Sequence, residues 1–321
     1  MTKDYPLQLA LQGGGAHGAF TWGALDRLLE ERDIDIGRIS GTSAGALNGA
    51  ALVCGLVRGG RDGAKENLAL LWHKAAEAGV LGTLLMLPWR KPSFGLWDDS
   101  QPLMPPAIAN PWGIQPLRQV LQQVIDEETF RSAEAPRLHV NAVRVRDGAT
   151  RLFGPHEITV EALLASACAP QLFSAVEVQG EMYWDGSYTA NPVLQPLYAG
   201  LDEADILLVE LTPLVRNEIP LSAKNILNRI NEIASTAGLK AELAKLQATR
   251  AERPGLRLHV LSIPDEAEAA LLDPSVKRSA DLVLFQTLRN EGRRCCEAWL
   301  GANRPRLGRS SGVDLAARYL C

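Results

Sequence analysis

Leu7, Leu9 and Leu11 alternate with Gln8, Ala10 and Gln12 near the start of the chain. A period of two predicts a strand. The period then lengthens: Trp22, Leu25, Leu28 and Leu29 fall on one helical face, with Asp26, Arg27, Glu30 and Glu31 opposite, the mark of an amphipathic helix. "IGRIS" (36–40) reads as a second strand. Ala46, Leu47, Ala50, Ala51 and Cys54 form a small-residue stripe that predicts a helix lying close to a sheet. Further helices are predicted over 65–78, 116–125, 160–167, 225–250 and 276–300. Strands are predicted over 138–145, 151–153, 206–211 and 259–263, with a hairpin in "AVEVQGEMYW" turning at Gln179-Gly180. Such alternation implies an α/β fold with a mostly parallel sheet covered on both faces.

Two stretches break the pattern. Residues 80–116 are rich in proline and contain Trp89, Trp97 and Trp112; they read as an irregular insertion, either a loop packed on the body or a lid. The residues after Gly301 read as a loose tail. The organisation expected is a single domain over 1–321.

Composition narrows the function. Of 321 residues, 46% are hydrophobic and 22% charged, which permits a large core; the net charge of −4 argues against a nucleic-acid partner, which calls for a basic excess. The five cysteines are odd in number and lack metal-ligand spacing, which suits free thiols in a reducing compartment. The first residues lack an apolar signal core, and no window reaches the roughly 18 apolar residues of a spanning helix. A cytoplasmic protein is expected, with peripheral contact at membranes or lipid surfaces left open.

The chemistry starts at Gly13, Gly15 and Gly18, spaced G-x-G-x-x-G between a strand and a helix. A dinucleotide site would need an acidic residue at the end of the next strand. That place holds Gly41-Thr42-Ser43-Ala44-Gly45 instead. G-x-S-x-G between strand and helix is a nucleophile elbow, a tight turn that lifts a serine hydroxyl above the sheet. The positive end of the helix starting near Ala44 favours negative charge there. The first loop then acquires a role, since backbone N–H groups of Gly14, Gly15 and Ala16 would hold an oxyanion. Such donors are worth about 3–4 kcal/mol each.

A serine nucleophile needs a base. Of five histidines, His17 lies in the glycine loop and could border the site. His73, His139 and His156 have no suitable setting, and His259 is the best triad candidate, though it sits in an apolar strand context. The other candidate is Asp185, at the end of the strand 182–184 and followed by Gly186. Because the preceding hairpin already turns at Gln179-Gly180, the pair Asp185-Gly186 is not needed as a second turn.

Taken in order, Gly13–Gly18, Gly41–Gly45 and Asp185-Gly186 resemble the patatin-like phospholipases, as does the run "ASACAPQLFSAVEVQGEMYWDGSYTANP" with Pro170 and Phe173. The resemblance spans about 7–211. It implies a three-layer α/β/α sandwich and a Ser–Asp dyad without histidine: Ser43 as nucleophile, Asp185 as general base, and Gly13, Gly14, Gly15 and Ala16 around the oxyanion. His17, Gly18, Gly41, Thr42, Ala44, Gly45, Gly186 and Ser187 would support them. It also implies no metal or cofactor and a lipid ester substrate: phospholipid, lysophospholipid or acylglycerol. The chain departs from the family at His17, where Arg or Lys is usual, and at Ser187, where Gly or Ala is usual. These departures keep a second reading open, a non-catalytic protein of lipid or granule surfaces that retains the fold.

Overall fold

The computed structural model describes residues 5–86, 110, 112–215, 219–221, 223–264 and 281–320. Its centre is one sheet. Strands β1 (Tyr5–Leu11), β2 (Ile34–Gly41), β3 (Leu138–Arg144), β7 (Glu203–Glu210) and β8 (Gly255–Ser262) run parallel in the order β3-β2-β1-β7-β8. An antiparallel edge is added beside β3: β4 (Thr150–Phe153), β5 (Val176–Val178) and β6 (Glu181–Asp185), with β6 paired to β3 and β5 to β6. The hairpin predicted in "AVEVQGEMYW" forms as β5–β6, and β3 and β4 make another antiparallel pair. Gln179 and Gly180 have φ of 53° and 82°, the two positive values that a tight two-residue hairpin turn requires.

Alternation along the strands sorts side chains into two cores. Leu7, Leu9 and Leu11 of β1 and Leu207 and Val209 of β7 face one cluster. It is covered by α1 (Gly18–Leu28), α2 (Ala44–Met86), α3 (Gln115–Val124), α4 (Val160–Ser166) and α7 (Leu282–Asn303). Ala10, Ile206, Leu208, Leu256 and Leu258 face the other, covered by α5 (Gln195–Tyr198), α6 (Ala223–Glu252) and α8 (Leu315–Tyr319). The result is the expected three-layer α/β/α sandwich.

Three expectations change. The helices predicted over 46–54 and 65–78 belong to one run, α2, broken only where Gly59 (φ −151°) and Gly60 (φ 61°) leave helical geometry. The supposed insertion over 80–116 lies mostly outside the described residues, Trp89 and Trp97 included. Its first residues continue α2 to Met86, and α3 already starts at Gln115. Trp112 is half exposed.

The segment after Gly301 is packed, not loose. Leu315 and Tyr319 are buried, and the Tyr319 hydroxyl donates to Glu210 Oε1 at 2.9 Å. Arg318 Nη2 reaches Glu210 Oε2 at 2.7 Å. The buried carboxylate of β7 thus fixes the last helix, a contact between residues far apart in sequence that periodicity does not reveal. Removing the hydroxyl in Tyr319→Phe is expected to lower unfolding free energy by about 2 kcal/mol, because a hydrogen bond to a charged group is lost. A urea melt measures it.

The tightest helix contact joins α1 to α7. A Cβ on Gly23 would sit 1.9 Å from the Arg289 carbonyl oxygen, and one on Gly292 2.0 Å from that of Phe20. Beside this crossing, Arg289 and Arg293 donate to the buried Asp26 Oδ2 at 2.6 and 2.5 Å. Since α1 continues directly from the glycine loop, α7 braces the loop from behind.

Candidate active site

Strand β3 brings the two ends of the site together. Gly41, closing β2, is level with Val140 of β3, and Asp185, closing β6, is level with Ala142. β4 occupies the far side of β3, so β2 and β6 follow one another along its near side, and the serine turn and the carboxylate leave the sheet next to each other there.

Ser43 stands between β2 and α2 with φ of 52°, a left-handed conformation that costs a non-glycine residue about 1–3 kcal/mol. Neighbours hold it there. The Ser43 N–H donates to Ser166 Oγ at 2.9 Å, and the Gly45 N–H to the Thr42 carbonyl at 2.8 Å. Gly45 is required by crowding, since a Cβ would lie 2.1 Å from the Leu11 carbonyl oxygen. Ser43 remains partly exposed while Gly41, Thr42, Ala44 and Gly45 are buried, so the turn presents its serine and little else.

The Asp185 carboxylate lies against the Ser43 side chain, which favours its charged form, and accepts a hydrogen bond from the Ser187 N–H at 2.9 Å. The residue is only 6% exposed. Burial pushes its pKa above the ordinary carboxylate value; the Ser187 hydrogen bond and the Ser43 side chain pull the other way without cancelling it. A buried carboxyl of raised pKa thus lies beside the Ser43 side chain. The nearby Cys168 thiol is pushed up to about 12 by burial and by Asp185, which keeps it protonated.

The glycine loop closes over this pair. A Cβ on Gly13 would sit 2.9 Å from Ser43 Cβ. Its N–H, however, donates to Asn191 Oδ1 at 2.7 Å. Gly13 therefore leaves the expected oxyanion set and serves as an anchor. Among the described residues, no acceptor is found for the N–H groups of Gly14, Gly15 or Ala16. His17 is fully buried at the N-cap of α1, beside Gly14 of the loop.

Three asparagine and serine side chains that the motifs did not mark hold the parts in register. Thr42 Oγ1 donates to Asn141 Oδ1 at 2.6 Å, and Asn141 Nδ2 donates to the carbonyls of Gly186 (3.2 Å) and Ala190 (2.9 Å). Asn141 thereby ties the elbow to the Asp185-Gly186 turn. Asn191 ties Gly13 to α6 through Ser235 Oγ at 2.7 Å. Ser166 supports the nucleophile from α4. The one sequence signal for them is polarity in apolar surroundings, such as Asn141 within "LHVNAVR".

The histidine alternative is not assembled. His259 is fully buried in β8, its Nε2 2.8 Å from Asp205 Oδ1, with Arg257 Nε 3.1 Å from the same oxygen. Asp205 is level with Leu7 of β1, whereas the elbow follows the level of Leu11, so this cluster belongs to another part of the sheet. Burial would raise Asp205, but hydrogen bonds from His259 and Arg257 bring its carboxyl below the ordinary value. His73 and His156 are exposed, and His139 lies in β3 with its pKa lowered by burial.

A mostly parallel α/β sandwich thus brings a G-x-S-x-G turn, an aspartate and a glycine loop together at one end of its sheet. The sequence profile of the patatin-like phospholipases matches residues 9–198, more than half of the chain, and the chain belongs to that family. Its members are lipid hydrolases or acyltransferases. The chain is 28% identical over 195 residues to the omega-hydroxyceramide transacylase of Mus musculus, a match covering 58% of this chain and 28% of that protein; the chain thus spans well under half of that relative's length. Among solved structures, VipD of Legionella pneumophila is 13% identical with a TM-score of 0.43, covering 99% of this chain and 73% of that one. ExoU in its complex with SpcU, from the type III secretion system of Pseudomonas aeruginosa, is 17% identical with a TM-score of 0.40, covering 93% and 51%. No helix among the described residues is long and apolar enough to cross a membrane.

Proposed function

We propose that the protein is a serine hydrolase of lipid esters working through a Ser43–Asp185 dyad. One observation carries the reading: a buried carboxylate, Asp185, lies against the side chain of Ser43, which is held in a left-handed turn and partly open to solvent. Asp185 takes the hydroxyl proton as Ser43 Oγ attacks the ester carbonyl carbon. The carbonyl electron pair moves onto oxygen, where the N–H groups of Gly14, Gly15 and Ala16 and the start of α2 stabilise it. Collapse breaks the ester C–O bond, and Asp185 returns the proton to the departing alcohol. Water then adds to the acyl-serine, with Asp185 again taking and returning a proton. Phospholipid, lysophospholipid and acylglycerol all present the required ester.

The mouse relative, named as a transacylase, favours a variant of the second half-reaction. A lipid hydroxyl replacing water would yield a new ester in place of a free acid. Product analysis with and without a hydroxylated lipid acceptor separates the two.

The decisive experiment is active-site labelling. A fluorophosphonate probe is expected to label the wild type at one serine and to leave Ser43→Ala unlabelled, with fatty-acid release from a lipid-ester panel lost in parallel. Labelling that persists in Ser43→Ala refutes the dyad. Vesicle binding without hydrolysis of any ester would select the non-catalytic, lipid-surface reading.

A further inference from the structure

Half of the twelve large hydrophobic residues exposed among the described residues fall between 215 and 233: Val215, Ile219, Leu221, Ile226, Ile230 and Ile233. Isolated exposed apolar side chains are ordinary, but a concentration of this kind marks a contact surface. Three of them form a stripe on α6. Ile226, Ile230 and Ile233 are spaced by four and three residues, hence on one helical face, and are 44%, 55% and 54% exposed. The same exposed line continues along the helix as Ala237, Ala241, Ala244 and Ala248. The bulky members are thus confined to the N-terminal half.

That half is the one nearest the dyad. Asn231 Oδ1 accepts from the Tyr188 hydroxyl at 3.2 Å and from Gln171 Nε2 at 3.4 Å. Ser235 holds Asn191, which holds Gly13. A Cβ on Gly238 would lie 2.6 Å from the Thr189 carbonyl oxygen, so the helix rests directly on the segment following Asp185. One side of the helix holds the glycine loop and the aspartate turn. Its other side shows isoleucines to solvent.

Charge identifies what covers the stripe. Along the stripe, over 226–248, the carboxylates are Glu232 and Glu242, both buried, while Lys240 and Lys245 are exposed, Lys245 reaching Glu242 at 2.6 Å; the exposed Glu252 lies at the far end of the helix. In a chain of net charge −4, this exposed face carries cations and no anion. Its one arginine, Arg229, is partly buried and paired with Glu232 at 3.2 Å, and the stripe lacks the aromatic anchors that dominate protein–protein contacts. Aliphatic side chains flanked by lysine suit a medium that is apolar within and anionic at its surface.

We propose that the N-terminal half of α6 is an interfacial docking helix that seats the protein on an anionic phospholipid surface, with the isoleucines entering the acyl boundary beside the dyad. The assignment rests on the lipid-ester reading for its purpose, but not for its measurement. The test is co-sedimentation of the full chain with vesicles of phosphatidylcholine and phosphatidylglycerol, using Ser43→Ala so that the vesicles survive. Replacing the stripe by Ile226→Ala, Ile230→Ala and Ile233→Ala extends the existing alanine line, which favours a folded helix. The triple variant is expected to partition roughly tenfold or more weakly. In the otherwise wild-type chain it should also lose vesicle phospholipid hydrolysis while keeping turnover of a monomeric short-chain nitrophenyl ester. Equal partitioning with and without the stripe overturns the proposal. So does stripe-dependent dimerisation in size-exclusion chromatography without vesicle binding, which would make a second copy the occupant. Stripe-dependent vesicle binding in a protein that turns over neither ester would sink the hydrolase reading and leave the docking surface standing.

Discussion

Asp185→Asn is expected to reduce lipid-ester turnover by roughly 10³-fold or more, the scale of a lost general base, while the protein stays folded. The amide keeps an oxygen to accept the Ser187 N–H, now 2.9 Å from Asp185 Oδ1, and the side-chain volume hardly changes. Only the proton acceptor goes. The variant also separates function from stability. Because burial raises the folded-state pKa of Asp185, the folded protein prefers its neutral form. The stability this preference contributes is complete below the ordinary carboxylate value and is lost as pH rises through the raised one. Above that range the wild type holds a buried anion, so Asp185→Asn should match or exceed its melting temperature, the advantage growing as pH rises between the ordinary and the raised value and levelling off above it. Activity runs the opposite way. The base must be ionised, so kcat/KM of the wild type should rise with pH along a limb displaced above the ordinary carboxylate value. Paired pH profiles of thermal unfolding and turnover test both signs. Turnover retained in Asp185→Asn removes the dyad.

Gly292→Ala should produce the largest loss of stability, about 3 kcal/mol, at the upper end of ordinary overpacking. The added Cβ would meet the Phe20 carbonyl oxygen at 2.0 Å. That atom belongs to helix backbone and cannot turn aside as a side chain would. Pushing α7 off α1 also disturbs the pairing of Asp26 with Arg289 and Arg293, whose carboxylate is buried and hard to leave uncompensated. A lowered denaturant midpoint with an unchanged slope is the expected readout. Activity should fall as well, since α1 begins at the glycine loop. Full stability in Gly292→Ala would show that the helices part without strain.

The hairpin turning at Gln179-Gly180, the apolar β7 and the long α6 were legible because each is governed by local periodicity or turn chemistry. The elbow was legible because G-x-S-x-G must be spelled that way for a serine to occupy a left-handed turn over the Leu11 carbonyl. The Gly13 amide was misjudged because its acceptor, Asn191, lies 178 positions along the chain. Asn141 and Ser166 escaped notice for the same reason: a buried amide or hydroxyl signals a partner without saying which. The packed C-terminal segment was missed because its anchor, Glu210, ends a strand on which a carboxylate looks merely terminal. Periodicity carries information about the elements, and long-range hydrogen bonds carry it about the site.

The reverse-running hairpin that supplies Asp185 turns at Gln179-Gly180, where a Cβ on the glycine would meet open space. The serine turn and Ser166, which holds it, precede this turn, and the carboxylate comes just after it. The turn is therefore a solvent-facing point at which the chain can be divided into two fragments, one holding the serine and the other the carboxylate. Under the dyad reading, rejoining them is expected to restore ester cleavage, which would make the turn a seam for a complementation reporter.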